Sequence, residues 1–284
     1  MSYEKDNTTI NTTTMEPPSL PQSTARGEGS APRLFPATLN GYHNWKSMTP
    51  LHLGTSATQT THAATIHDEH RYSRPQKQHM RLVLYAGPTT PTTTTDEIEQ
   101  HPMLASVDSS GGTWGSGDFT VTVPAAARSC GGGCAAAPDD AVVVHVHGEK
   151  TGMGRTAARF EVDVDVGAGG RDAEGAGGSG GRRRHVEAFE WRSSSGEHVR
   201  RVATGPSHGW KLVRLAGGEE EEEVVAVIAH NASWSKTKKL RFAFVGSGLT
   251  GGLGELWEIV VVVSALKMWV TGTRKMAAMT AATV

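Results

Sequence analysis

The chain has 284 residues, of which 37% are hydrophobic, and it contains 34 glycines and 13 prolines. This apolar fraction is low for a globular chain, so the ordered part is predicted to be shorter than the whole sequence. The formal net charge is -1, which excludes a global attraction to nucleic acid or to an anionic membrane and leaves only local basic patches to bind either.

Residues 1–76 predict a disordered tail, because they are rich in Thr, Ser, Pro and His and show no sustained hydrophobic periodicity. The tail begins without an apolar stretch, so no secretory signal is predicted and a cytoplasmic protein is expected. Within it, His67, Asp68, Glu69 and His70 suggest a metal site. A polar stretch in a flexible tail is the favoured interpretation, because a metal site needs a scaffold and supporting hydrogen bonds.

Eight short strands are predicted between residues 79 and 246. RFEVDVDVG has the cleanest two-residue period, with Phe160 and Val162 on one face and Glu161 and Asp163 on the other. Strands that follow one another without crossover helices favour a meandering antiparallel sheet. The eight segments are HMRLVLYAG, GDFTVTVP, AVVVHVHG, RFEVDVDVG, HVEAFEWR, GWKLVRLAGG, EVVAVIAH and KLRFAFVG.

Two residue pairs have the chemistry of partial metal sites. Cys130 and Cys134 are the only cysteines, and they supply two of the four ligands of a structural zinc site. A flexible Gly/Ala loop is therefore predicted there. His145 and His147 are two apart on a predicted strand and so share a face, but spacing assigns no third ligand. No metal is predicted, and this pair stays open as an alternative enzymatic site.

The turn from Gly246 to Gly251 spells G-x-G-x-x-G after a predicted strand, the pattern of a dinucleotide-binding turn. That function also requires an acidic residue about 20 positions later, to bind the ribose. The chain has no Asp or Glu after Glu258. The turn is therefore predicted to be structural, and no cofactor is expected.

Residues 255–269 are predicted to form a helix. It is apolar on every side, which is typical of a helix enclosed by protein, and Glu255 and Glu258 suit its N-terminal dipole. An internal strand is the alternative, because the valine run favours extended structure. The apolar run is shorter than the 18–20 residues that cross a bilayer, so no transmembrane segment is predicted. Residues 273–284 are expected to be a flexible tail.

The order and spacing of FEWRSSSGEHV, GWKLVRL, EVVAVIAH, LRFAFVGSG and LGELWEIVVVVSALKMW resemble the tubby C-terminal-like superfamily. That group includes tubby proteins, phospholipid scramblases, plant LURP-one-related proteins and fungal proteins of the same type. The resemblance implies a closed antiparallel β-barrel around a hydrophobic C-terminal helix, here over residues 77–272. It implies no catalysis, and by way of the tubby members it implies phosphoinositide binding through surface basic residues.

Two basic clusters are candidate lipid contacts, and they would act together only if the fold placed them on one side. Solvated hairpin ends are the alternative interpretation of both. The predicted function is a non-enzymatic binding or scaffold module, peripheral at membranes, with anionic phospholipid or protein as its partner and no nucleic acid. A small enzyme using the Gly246 turn or the His145 and His147 pair is the alternative. The candidate residues are Arg182, Arg183, Arg184, Lys236, Lys238, Lys239 and Arg241.

Overall fold

The structure is a computed structural model, and it describes residues 33–43, 49–69, 79–109, 117–128, 140–151, 155–166, 183–215, 222–231 and 237–281. All of these residues belong to one unit, Ala31–Val284. Cys130, Cys134, His70, Arg182 and Lys236 lie outside the described residues, so the predictions made for them stay predictions.

Twelve strands and three α-helices are described. The strands are β1 (Thr38–Tyr42), β2 (Leu51–Ser56), β3 (Gln59–Glu69), β4 (His79–Thr89), β5 (Met103–Asp108), β6 (Phe119–Val123), β7 (Val142–Thr151), β8 (Arg155–Val166), β9 (Arg183–Ser194), β10 (Gly209–Arg214), β11 (Glu223–His230) and β12 (Lys238–Phe244). The helices are α1 (Thr95–Ile98), α2 (Glu197–Ala203) and α3 (Glu255–Ala281), and short 3-10 helices cover Ala125–Ala127 and Gly246–Leu249.

The strands form one closed antiparallel barrel in which neighbours in sequence are neighbours in the sheet. β1 closes it, because it pairs with β2 on one side and with β12 on the other, with Thr38 opposite Ala243. Each of the eight predicted strands is present. The predicted fold class, a closed antiparallel barrel around a C-terminal helix, is confirmed.

The predicted boundary at residue 77 is wrong. Residues 38–69, assigned from sequence to a disordered tail, supply β1, β2 and β3. Small and polar side chains dominate β3, and Ala63, Ala64 and Thr65 are fully buried there. Such a strand shows little hydrophobic pattern, because the apolar surface that covers it comes from other elements. Residues 1–32 lie outside the described residues.

The barrel interior is lined by alternate side chains of each strand. On β8, Phe160, Val162 and Val164 are buried while Glu161 and Asp163 are exposed, as their two-residue period predicts. The inward side chains belong to one continuous hydrophobic cluster that also contains the α3 residues Ile259 to Val263. The predicted enclosed helix is thereby confirmed, and the alternative of an internal strand is wrong.

Ser264 is a polar side chain in the enclosed part of α3, and its hydroxyl is satisfied by hydrogen bonds. Ser264 is fully buried; its hydroxyl donates to the Val261 carbonyl at 3.1 Å and accepts from Trp191 Nε1 at 2.9 Å. By length and composition Glu255–Ala277 would suffice to cross a membrane, and 78% of its most apolar window is buried inside the protein.

The first turn of α3 is tied to the chain segment that precedes β1. Glu258 is 2% exposed, and its carboxylate accepts hydrogen bonds from Arg33 Nε at 3.1 Å and from the backbone N–H of Leu34 at 3.0 Å. The guanidinium of Arg33 lies over the Phe244 ring, 4.5 Å from its centroid. The segment before β1 and the start of the helix are therefore held together at one end of the barrel.

The helices add one element that the sequence did not indicate and correct one prediction. α2 begins at Glu197, shortly after β9 ends at Ser194. The two buried residues of α2, Val199 and Ala203, are too few to give a helical period in the sequence. The segment 273–281 is not a flexible tail, because α3 continues through it to Ala281.

Because neighbouring strands are antiparallel, their ends fall at two rims. We call the rim where α3 begins the start rim; it carries the end of β8 with Asp165, the start of β9 with Arg184, and the start of β11 with Glu223. We call the rim where α3 leaves the barrel the exit rim; it carries His230 at the end of β11 and Lys238 at the start of β12. Trp269 of α3 contacts His230 there.

Candidate binding surface at the exit rim

The first predicted basic cluster lies on the start rim, and its described cation is paired. Arg184 Nε is 3.4 Å from Asp165 Oδ1, on the neighbouring strand. Arg183 begins β9 beside Val166. This pairing on a strand end fits the solvated hairpin end that sequence reasoning offered as the alternative.

Arg214, at the start rim, and Arg192, near the exit-rim end of β9, also have carboxylate partners. Arg214 makes a two-pronged ion pair with Glu187, with both N–O distances 2.5 Å. Burial raises the pKa of Glu187, but the hydrogen bonds and charge of Arg214 outweigh it, so the pKa lies below its usual value. Arg192 bonds Glu190 at 2.5 Å and Glu222 at 2.6 Å.

In the glycine-rich turn, the donors that could bind an anion already bind a carboxylate of the same chain. Glu223 accepts hydrogen bonds from the backbone N–H of Ser247 at 2.5 Å and from the Ser247 hydroxyl at 2.8 Å. Gly246 has a φ of +52°, and a Cβ there would lie 2.6 Å from the same carboxylate. A phosphate approaching this turn would meet a carboxylate already in place.

The second glycine of the turn serves packing. A Cβ at Gly248 would collide with the Val225 carbonyl oxygen and lie 3.1 Å from the Trp257 ring. Gly248 is buried in the Gly246–Leu249 helix, which packs against β11. The glycines thus let the chain turn tightly from β12 toward the start of α3, as the structural interpretation of the motif predicts.

The second predicted basic cluster lies on the exit rim. Lys239 and Arg241 are partly buried at outward positions of β12, and Arg241 donates to the Val202 carbonyl of α2 at 3.3 Å. Lys238 begins the strand, opposite Tyr42. Burial, and then the charge of Arg241, lowers the pKa of Lys238 to about 8, so it is still mostly charged at pH 7.

Further cations lie on α2, which contacts β12 through Arg241, and on α3, which leaves the barrel at the same rim. The last turn of α2 has Arg200 and Arg201, and the exposed pair Arg201–Glu197 is 2.5 Å apart. The second half of α3 has Lys267, Arg274 and Lys275, and by sequence that half contains no acidic residue. β12 likewise has no Asp or Glu. Basic character therefore extends from α2 across β12 to the emerging helix.

An aromatic cluster fixes α3 where it leaves the barrel. Trp269 Nε1 donates to His230 Nδ1 at 3.1 Å, so neutral His230 carries its proton on Nε2. The His208 ring packs against Trp210 and His230, with centroids 5.3 Å and 6.4 Å away. Burial, and then His208, lowers the pKa of His230 to about 4. The sequence did not indicate that the two histidines meet, because they are far apart in the chain.

The remaining histidine candidates are not brought into a metal cluster. His145 and His147 are both exposed on β7, opposite Thr120 and Arg159. His67 Nε2 is bonded to the Thr65 hydroxyl at 2.8 Å. Within the described ranges, no group of three His, Cys, Asp or Glu side chains is placed to hold a metal ion.

The two predicted basic clusters are at opposite rims and do not form one surface. Between Trp257 near the start rim and Val270 near the exit rim, α3 rises about 20 Å at 1.5 Å per residue. At physiological ionic strength this is more than two Debye lengths of about 8 Å. The exit-rim cluster must therefore be considered without Arg183 and Arg184.

Comparisons with known proteins identify no relative, because no protein-family model, no curated protein and no solved structure matches the chain. The resemblance to tubby C-terminal-like proteins stays a prediction.

Proposed function

We propose that this chain is a non-enzymatic binding module whose contact surface is the exit rim and whose ligand is the anionic headgroup of phospholipids. The observation that carries the proposal is the concentration of cations on the β12 side of the exit rim. At the start rim, by contrast, Arg184 and Arg214 each face a carboxylate, Asp165 and Glu187 respectively. The exit rim gathers cations on α2, β12 and α3, three elements on which Glu197 is the one acid outside the first turn of α3.

A surface site suits this barrel because its interior is occupied. Ile259 to Val263 are at most 2% exposed and pack against the inward side chains of the strands. A ligand as large as a nucleotide or an acyl chain would have to displace the helix. Contact through charges at a rim needs no such rearrangement.

The expected electrostatic contribution to the free energy of membrane binding is large enough to measure. Each Lys or Arg held near an anionic membrane surface contributes about 1 kcal/mol, so Lys238, Lys239 and Arg241 together contribute about 3 kcal/mol. Carboxylates Asp118 and Glu149 lie elsewhere around the same rim, on the β6 and β7 side. They favour a tilted contact that puts the β12 side nearest to the lipid.

The test is sedimentation with vesicles of phosphatidylcholine alone, or with added phosphatidylserine or phosphoinositide, at low and high salt. We expect binding only to anionic vesicles, and the double variant Lys238→Glu/Lys239→Glu should lose at least about tenfold in affinity. Arg183→Glu/Arg184→Glu, which makes the same change in net charge at the start rim, is the matched control and should bind like the wild type. Equal losses in both variants, or wild-type binding that is insensitive to charge, would contradict the proposal.

A further inference from the structure

The last three turns of α3 lead outward from the exit rim, with Gly272 still packed against the Trp210 ring. Val270 is fully buried, whereas Lys275, Met276 and Ala277 are exposed. Residues 271–281, which we call the overhang, add about 16 Å of helix at 1.5 Å per residue. The overhang leaves from the exit rim, the same rim that carries the Lys238 cluster.

The side chains of the overhang suit a partly apolar environment. Its threonines turn their hydroxyls to their own helix: Thr271 donates to the Lys267 carbonyl and Thr273 to the Trp269 carbonyl, both at 2.9 Å, and Thr280 to the Met276 carbonyl at 3.1 Å. These hydroxyls need no water as an acceptor. The other side chains are Met, Ala and Gly except for Arg274 and Lys275.

The charges of the overhang are all positive and lie on its barrel side. Arg274 and Lys275 come before Met276 in the direction that leads away from the barrel, and no acidic residue follows them. Along the helix, Arg274 and Lys275 are followed by a mainly apolar end that starts at Met276. This order matches an anionic bilayer, in which the phosphate groups lie outside the acyl chains.

From this arrangement we infer that the overhang enters the interfacial layer of an anionic bilayer, with Arg274 and Lys275 at the phosphates and Met276 at the upper acyl chains. This inference rests on the proposed function, which brings the exit rim to the membrane. The insertion is shallow, because the final carbonyls of a helix need hydrogen-bond donors and water supplies them only in the headgroup region.

The experiment measures insertion apart from binding. Wild-type protein, Met276→Asp and a chain ending at Lys275 are added beneath phosphatidylserine/phosphatidylcholine monolayers, and the rise in surface pressure is recorded. The same proteins are tested for vesicle binding in dilute buffer and in about 0.5 M salt, where screening leaves little of the attraction between exposed charges. Met103→Asp is the matched control, since Met103 is an exposed methionine on the start-rim side, at the beginning of β5.

We expect the wild type and Met103→Asp to raise the surface pressure, and both overhang variants to raise it much less. The salt-resistant part of vesicle binding should fall about tenfold in Met276→Asp, because the methionine side chain that would enter the acyl chains is exchanged for a charge. Vesicle binding without a pressure rise would overturn the insertion and leave the proposed function standing, whereas no binding to any vesicle would overturn both. A concentration-dependent dimer that is lost in the shortened chain would make a second copy the occupant, and would also overturn the inference.

Discussion

Glu258 shows how one side chain can have a different role from the one its sequence position indicates. An acid in the first turn of a helix suits the helix dipole, yet here the carboxylate is buried and binds Arg33 and the backbone of Leu34 and Phe35. A buried carboxylate without donors is strongly unfavourable. The position of the segment before β1 therefore depends on Glu258, and the burial of the Glu258 carboxylate depends on the donors of that segment.

Replacing Glu258 should cost more than replacing Arg33. Glu258→Ala leaves the partly buried Arg33 guanidinium and two backbone N–H groups without their acceptor, and we expect a loss of about 3–5 kcal/mol in the free energy of unfolding. Arg33→Ala leaves the carboxylate with its two backbone donors, so a loss of about 1–2 kcal/mol is expected. Urea denaturation of both variants measures the difference, and an Arg33→Ala loss equal to that of Glu258→Ala would show that the ion pair alone matters.

At the scale of elements, those with a strong hydrophobic pattern could be predicted from the sequence. Strands that are buried by the side chains of other elements could not. In β8 and in the valine run of α3, the hydrophobic pattern alone indicates which side chains are buried. β3 has His62 and Thr65 at buried positions, so its burial follows from closure of the barrel. Gly272 resembles a helix stop in sequence, but the Trp210 ring lies where its Cβ would be, and the helix continues.

The site was predictable only as a set of residues. Lys238, Lys239 and Arg241 stand out as a basic cluster in the sequence. Their separation from Arg184 depends on the antiparallel alternation of strand ends around the barrel, and their association with Arg200 depends on α2, which is too short to give a periodic signal. Basic residues could be found from composition, but the rim that each occupies required the pairing order of all twelve strands.

The turn between β12 and α3 provides a test of the structural interpretation of its glycines. Gly248→Ala should lower the free energy of unfolding by about 1–3 kcal/mol, because the methyl group overlaps the Val225 carbonyl oxygen and presses on Trp257. Gly252→Ala is the matched control, since its Cβ would meet only the Thr250 hydroxyl, at 3.2 Å. Thermal denaturation with and without NAD distinguishes the alternatives, and stabilisation of the wild type by NAD would contradict a purely structural turn.

The whole molecule buries several histidines in their neutral form, which makes its stability depend on pH. Burial lowers the pKa of His62 to about 4, and burial with the nearby His208 does the same for His230. In the unfolded chain both titrate near 6.5. Their contribution to stability is therefore complete above pH 6.5 and is lost as the pH falls from 6.5 toward 4, because only the unfolded state takes up the protons.

Between pH 7 and pH 5 we expect each of these two histidines to remove about 2 kcal/mol from the free energy of unfolding. His62→Phe keeps an aromatic ring against Phe35 but cannot bind a proton, so its stability should fall less steeply over this range. Equilibrium urea unfolding at several pH values gives both slopes. Parallel slopes for the wild type and His62→Phe would mean that His62 is protonated in the folded protein.

The pairing of β1 with β12 also has a consequence for how the chain is made. The first strand of the barrel is synthesised about 200 residues before its partner, as Thr38 and Lys238 are separated by 238 − 38 = 200 positions. The helix that fills the barrel comes later still. During translation the earlier strands are without both a closing neighbour and an interior, and contacts this distant in sequence form slowly. We therefore expect nascent chains shorter than about 250 residues to remain unfolded and to need protection from aggregation until α3 has left the ribosome.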